Sequence, residues 1–155
     1  MFRGNHQTRI DEKGRLKVPA DFKRRMDDVY GTEFFITSKD GSVAEIYPMK
    51  EWEKIEAEIA GLSKFNPSKK KFLQRVNYYG QTVEMDSQGR LLLPQVLRDS
   101  AKLTGDVDVS GQLTYLEVVN HEAFQAGLDA DPWTVEDDLN LERITERTSA
   151  SGIGS

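Results

Sequence analysis

Apolar and polar residues alternate with a period of two in two short segments near the N-terminus, residues 7–10 and 15–18. This pattern is typical of β-strands with one buried face, here ending at Ile10 and Val18. Asp11, which opens the connecting segment, is an acceptor for backbone N–H groups further along, and Gly14, which closes it, tolerates a positive φ. The pattern predicts a β-hairpin.

A short helix, a second hairpin and a longer helix are predicted to follow. Pro19 is typical of a first helical residue, because its missing N–H costs nothing there. Segments 33–38 and 43–47 predict two further strands around a polar turn. The next helix carries an apolar face formed by Trp52, Ile55 and Ile59. The predicted unit is therefore ββαββα.

The same order of elements occurs twice. The segment DEKGRLKVP at residues 11–19 recurs 75 positions later as DSQGRLLLP at residues 86–94. Further on, EIY at residues 45–47 matches EVV at residues 117–119 with an offset of 72. A repeat of this kind indicates two copies of one structural unit. In the second copy we expect strands at 81–85, 90–93, near 107–109 and at 115–119, with Asn120 capping the last helix.

These patterns divide the chain into four parts. We expect a first module at residues 1–62, a basic linker helix at 63–79, a second module at 80–128 and an acidic, mobile tail at 129–155. The tail is low in apolar residues towards its end, which is typical of a segment that cannot bury a core.

Charge is distributed unevenly along the chain, whose net charge is −5. Residues 1–25 hold eight basic and three acidic residues, whereas the chain beyond Leu128 holds seven acidic and two basic ones. Ends of opposite sign are expected when a basic face meets nucleic acid while an acidic segment stays solvated. There is no cysteine, secretory leader or long apolar run, so we expect a soluble, cytoplasmic protein without contact to a membrane.

The duplicated turn resembles the swapped-hairpin modules of the AbrB superfamily, and residues 1–128 resemble the MraZ family. The resemblance rests on the N-terminal MFRG, two D-x-x-x-R turns each followed by L-x-[V/L]-P, and the pairs Tyr47-Pro48 and Glu51-Trp52. It implies an α+β fold of two tandem swapped-hairpin, AbrB-like β-barrel modules, ββαββα each, that form a pseudo-dimer within one chain.

The resemblance also implies a function. MraZ-like proteins bind direct repeats in the promoter of the division and cell wall gene cluster, and several chains form a ring. We accordingly expect a homo-oligomeric, nucleoid-associated regulator of transcription, with double-stranded DNA as partner and repression as the expected effect.

Basic residues around the two turns are the candidate DNA contacts. Arg15 and Arg90 each offer a planar donor for a phosphate or a guanine edge, while Asp11 and Asp86, four residues earlier, are placed to hold these arginines. The turns would be structured by Asp11, Gly14, Asp86 and Gly89. Phosphate contacts would come from Arg3, Arg9, Lys13 and Lys17. The alternative for each lysine or arginine is a solvated charged face, and the alternative for Arg15 and Arg90 is an ion pair within the turn.

Two other classes of protein, enzymes and antitoxins, fit the sequence less well. His6 and His121 lie in no metal-binding motif, and the glycines form neither a P-loop nor GxGxxG. We therefore expect no enzyme, no metal and no cofactor. AbrB-like folds also occur as antitoxins whose acidic or disordered tail covers a toxin, and the acidic tail keeps an antitoxin-like interaction module open as an alternative.

Overall fold

The structure is a computed structural model that describes the backbone of residues 1–153 and the side chains of residues 1–146. The first copy holds β1 (Asn5–Ile10), β2 (Arg15–Lys17), α1 (Ala20–Arg25) with a π-helical continuation (Met26–Tyr30), β3 (Glu33–Thr37), β4 (Ala44–Pro48) and α2 (Met49–Ala60). Helix α3 (Pro67–Tyr79) follows. The second copy holds β5 (Gln81–Glu84), β6 (Arg90–Leu92), α4 (Gln95–Ala101), β7 (Gly105–Gly111), β8 (Leu116–Asn120) and α5 (His121–Ala130), and α6 (Val135–Ile153) ends the described chain.

The strands form one antiparallel, nearly closed eight-stranded barrel in the order β5-β3-β4-β8-β7-β1-β2-β6. The two copies are interlocked in it. Strand β1 pairs along its whole length with β7 of the second copy, and β5 pairs with β3 of the first. The predicted hairpin of the first copy is short, because β1 and β2 pair only at Ile10 and Leu16, while all three residues of β2 pair with β6.

A pseudo-twofold relation connects the copies. Exchanging β1 with β5, β2 with β6, β3 with β7 and β4 with β8 reproduces the same cyclic order of strands. The pseudo-twofold axis passes between equivalent residues of the two copies. Leu16 pairs with Leu91 where β2 meets β6, and Glu45 pairs with Glu117 where β4 meets β8. The expected fold, two swapped-hairpin modules forming an intrachain pseudo-dimer, is confirmed.

Both copies contribute to a single core. Its fully buried side chains include Leu16, Met26, Phe34, Ile36, Ile46, Leu91, Leu93, Leu97, Val107, Leu116 and Val118. Truncating a leucine in such a core to alanine costs about 2–5 kcal/mol. Neither module buries this surface alone, so the two halves are expected to fold as one unit. A smaller cluster lies under α2 and α3, where the ring of Trp52 stacks on Phe35 at 4.7 Å.

Side-chain caps fix two of the later helices. Asn66 accepts a hydrogen bond from the backbone N–H of Ser68 at the start of α3, and Asn120 accepts one from Ala123 at the start of α5, as its sequence position predicted. Helix α3 occupies most of the predicted linker helix.

The chain divides into two compact units, Met1–Phe124 and a second one from Gln125 onward. Helix α6 was not predicted, although its start carries a recognisable signal. The hydroxyl of Thr134 accepts from the N–H of Asp137 at 3.2 Å, and the carboxylate of Asp137 accepts from the N–H of Thr134 at 2.9 Å. This is a reciprocal capping box.

The mobility of the tail stays a prediction, and residues 154–155 lie outside the described residues. Within the described part, no helix is long and apolar enough to span a membrane.

Candidate nucleic-acid interface

The first turn (residues 11–15) is organised by one carboxylate. Asp11 accepts three hydrogen bonds, two through Oδ1 from the backbone N–H groups of Lys13 (3.0 Å) and Arg15 (2.9 Å), and one through Oδ2 from Nε of Arg15 (2.8 Å). The N–H of Gly14 donates to the carbonyl of Asp11, and Gly14 has a φ of 84°, which favours glycine. The side chain and the backbone therefore define one conformation together.

The second turn (residues 86–90) repeats this geometry. Asp86 accepts from the N–H groups of Gln88 and Arg90, both at 2.9 Å, and from Nε of Arg90 at 2.8 Å. Gly89 has a φ of 75°. In both turns the hydrogen bonds hold the pKa of the aspartate below its usual value, and the backbone N–H of the arginine contributes most to that lowering.

The paired arginines keep donors free for a ligand. Each guanidinium uses Nε to hold its aspartate, and the terminal nitrogens of Arg15 and Arg90 have no partner among the described residues. Their side chains remain 29% and 25% exposed. An arginine held in this way presents a fixed, planar pair of donors, so the ion pair within the turn and a DNA contact are compatible.

Strands β2 and β6 place the two turns at opposite ends of one antiparallel ribbon. The N–H of Val18 donates to the carbonyl of Gly89 (3.1 Å), and the N–H of Leu93 donates to the carbonyl of Gly14 (3.0 Å). Leu16 is fully buried, so the side chains on either side of it in β2 point outward. We call the outer face of β2 and β6, together with the two turns, the ribbon face.

The strand swap brings cations of each copy to the turn of the other. Lys17 of the first copy donates from Nζ to the carbonyl of Gln88 at 2.6 Å. The methylenes of Lys23 lie over Gly89, where an added Cβ would meet them at 2.9 Å. The guanidinium of Arg98 covers Gly14 so closely that a Cβ there would come within 2.5 Å of three of its atoms.

Each turn consequently has three cations around it. The first turn has its own Lys13 and Arg15, and Arg98 from the second copy. The second turn has its own Arg90, and Lys17 and Lys23 from the first copy. The weaker charge of the second turn in the sequence, where Gln88 replaces a lysine, is therefore offset in three dimensions.

The remaining predicted contacts divide into two groups. Lys13 is exposed within the first turn, and Arg9, with a side chain 77% exposed, lies on the outer side of β1 next to β2 and 3.7 Å from Asp106. Arg3 precedes β1 at the opposite end of the strand, which is about 17 Å long at 3.4 Å per residue. The structure thus brings Arg9, Lys13, Arg15, Lys17 and Arg90 to one face, and leaves Arg3 apart from them.

Arg98 is a cation of the first turn that was not predicted from the sequence. Its signal was present, because the 75-residue offset pairs Lys23 with Arg98. The repeat shows that the two residues are equivalent, but only the swapped topology reveals which turn each of them covers.

In the described part of the chain, no group of three or more His, Cys, Asp or Glu side chains is arranged to bind a metal.

Known proteins resemble this chain over both copies. A family model described as "MraZ protein, putative antitoxin-like" matches residues 1–75 and again residues 80–134, one match for each copy. A protein of Acidobacterium capsulatum is 67% identical over 91% of this chain and 97% of its own length. Proteins of Koribacter versatilis (51% identical; 93% and 99%) and Syntrophobacter fumaroxidans (35%; 84% and 86%) are also similar. All three are named transcriptional regulator MraZ.

Proposed function

This chain belongs to the MraZ family, and on that premise we propose that it is a transcriptional regulator that binds double-stranded DNA with its ribbon face. Its targets are direct repeats in the promoter of the division and cell wall gene cluster. It acts there as a repressor, in the cytoplasm and at the nucleoid. The observation that carries the proposal is the pair of turns with the same geometry. Each turn has three cations around it, and one of them is an arginine whose terminal donors are unpaired.

The dimensions of the ribbon face suit the major groove. A two-stranded β-ribbon fits this groove, which is about 12 Å wide. Gly14 marks one end of the ribbon, and Gly89, which accepts from the N–H of Val18, marks the other. Counted along β2 from Gly14 to Val18, these ends are four residues apart, or about 13 Å. This spacing corresponds to about four base pairs at 3.4 Å each. Arg15 and Arg90 then reach phosphates or guanine edges at both ends of one short element.

Assembly into a ring completes the proposal. One ribbon face carries few cations, and the whole chain has a net charge of −5, so a single copy is expected to bind weakly. Several copies on repeated elements bind more tightly through effective concentration, without any new contact. The proposal therefore requires that affinity depends on the spacing between the repeats.

The test is a binding measurement on the full-length protein with a fluorescent duplex from its own promoter, in a salt series, beside a scrambled duplex. Wild type is expected to prefer the promoter, with affinity that falls as salt rises. Arg15→Ala is expected to lose the preference while remaining folded. Arg143→Ala is the matched control, because it removes the same charge from an exposed position in α6. If wild type binds neither duplex at any salt, DNA binding is refuted.

A second candidate function is an antitoxin-like interaction, which the description of the family favours. The acidic segment exposes several large apolar side chains, among them Trp133 and Val135. This candidate predicts neutralisation of a protein toxin that survives Arg15→Ala and is lost in Trp133→Ala. The DNA-binding proposal predicts that Arg15→Ala abolishes regulation.

A further inference from the structure

The pseudo-twofold relation does not extend to the chemistry of the ribbon face. Strand β1 pairs with β2 at Ile10 and Leu16 only, and the residues one position further along each strand, Arg9 and Lys17, are both exposed at that edge. Lys17 in turn pairs with Arg90 of β6. These three outward side chains form a cationic row. The equivalent positions of the other copy, 75 residues away, hold Glu84, Leu92 and Arg15. We call these three residues the mixed row. The two turns are thus equivalent, but the rows between them are not.

Leu92 is the unexplained member of the mixed row. It is 49% exposed, although its neighbours Leu91 and Leu93 are completely buried, so it belongs to the surface and not to the core. Its register partner is Arg15. In an antiparallel pair, opposite Cβ atoms lie about 4.5–5.5 Å apart. Leu92 and Arg15 therefore leave the ribbon face side by side, and we expect DNA that lies across this face and reaches Arg15 to meet Leu92 as well.

Phosphates offer nothing to a leucine side chain. In the major groove the one apolar projection on the base edges is the 5-methyl group of thymine, and aliphatic side chains contact it. We infer that Leu92 is a specificity-determining residue that packs on a thymine 5-methyl group beside the base or phosphate bound by Arg15. The cationic row positions the other half of the element through its phosphates. The inference rests on the proposed DNA binding by the ribbon face.

One consequence concerns the form of the DNA element. A ribbon with equal rows reads an element equally well in both directions. A ribbon with one cationic and one apolar-bearing row has a direction on the duplex. Each chain of an assembly then binds its DNA element in one fixed orientation. The element of a single chain therefore need not be palindromic.

The test replaces thymine by uracil, which removes only the methyl group. The duplex is the promoter fragment described above, with single thymines of one repeat replaced in turn, and the protein is the full chain. At one position, wild type is expected to lose about fourfold in affinity, the effect of about 0.8 kcal/mol for one buried carbon. Leu92→Ala is expected to bind the thymine and uracil duplexes equally. Its fold is checked by circular dichroism.

Leu139→Ala is the matched control, because Leu139 is 47% exposed, close to the value for Leu92, and lies in α6. This variant should retain the full preference for thymine. The inference is overturned if no replacement weakens wild-type binding, or if the loss persists in Leu92→Ala. Failure of the proposed function is distinguishable, because wild type would then show no preference for the unmodified promoter over the scrambled duplex.

Discussion

The two turns have the same internal geometry and different surroundings. Asp11 and Asp86 make the same three hydrogen bonds, with lengths that agree within 0.1 Å. The first turn supplies Lys13 from its own sequence, whereas the second has Gln88 there and acquires Lys17 from the other copy. Duplication has therefore preserved what is local to each turn, and strand exchange determines the charge around it.

The difference shows why the charge on each copy is a poor guide to the charge on each turn. Counted along the sequence, the second copy lacks two lysines of the first, because Gln88 and Leu92 stand at the positions of Lys13 and Lys17. In three dimensions, the second turn is next to Lys17 and Lys23, because β2 pairs fully with β6 and the side chain of Lys23 in α1 covers Gly89. In a swapped fold the cations of one copy are expected to serve the turn of the other. We therefore expect both turns to take part in the proposed DNA binding.

The largest expected difference between the two turns is in backbone strain at their glycines. Gly14→Ala and Gly89→Ala both force a side chain into a positive φ, and each is expected to lower the free energy of unfolding by about 1–2 kcal/mol. Gly14→Ala should lose more, because the guanidinium above it is also held by a hydrogen bond from Nε of Arg98 to the carbonyl of Leu93. The methylenes of Lys23 above Gly89 belong to a flexible side chain whose Nζ is held only by an exposed bond to Asp27, so they move at a lower cost.

Urea denaturation of the variants measures this difference. Gly127→Ala is the control, since Gly127 lies within α5, has no positive φ and has nothing within 4 Å of an added Cβ. That variant should be neutral or slightly stabilised, because alanine is the better helix former. A greater loss for Gly89→Ala than for Gly14→Ala would contradict the account of the two surroundings.

Exchanging one pair of side chains tests the asymmetry between the rows at a smaller scale. Lys17→Leu removes a cation from the cationic row, and Leu92→Lys adds one to the mixed row. The slope of log affinity against log salt is expected to become shallower by about one for Lys17→Leu and steeper by about one for Leu92→Lys. Leu92→Lys should also lower the preference for promoter over scrambled DNA.

The double exchange, Lys17→Leu with Leu92→Lys, is the internal control. It restores the number of cations, so the salt slope should return to the wild-type value, while the preference for promoter DNA stays low. If both single variants keep the wild-type slope, neither row contacts phosphate and the ribbon face has the wrong boundaries.

What could be predicted from the sequence is what depends on near neighbours. The Asp–Gly–Arg turns, the proline before each following helix and the cap at Asn120 are local features, although Pro19 is the N-cap of α1 and not its first residue. The fold class followed from the duplication of these features together with the family resemblance. The positions of Arg98 over Gly14 and of Lys17 at Gln88 depend on contacts between residues more than 70 positions apart. Periodicity carries no information about such pairings, since it specifies which face of a strand is buried and not which strand lies beside it.

The smallest expected effect concerns the aspartates themselves. Both carboxyl groups have a lowered pKa in the folded chain, mainly through the backbone N–H of the arginine and less through its side chain. A lowered pKa means that each group stabilises the fold above its unfolded pKa of about 3.9, and that this contribution is lost as the pH falls through the folded value. Arg15→Ala should therefore raise the pKa of Asp11 only part of the way and leave Asp86 unchanged.

Titration of the carboxyl carbons by NMR measures both groups in one sample, and Arg90→Ala gives the reciprocal experiment. If the pKa of Asp11 returned fully to the usual value in Arg15→Ala, the guanidinium and not the backbone would hold the turn, and the turn would depend on the residue proposed to contact DNA. If Asp86 shifted as well, the turns would be coupled through the ribbon. A partial, local shift would mean that each turn keeps its shape without its arginine, so that loss of binding in Arg15→Ala reports a lost contact and not a lost conformation.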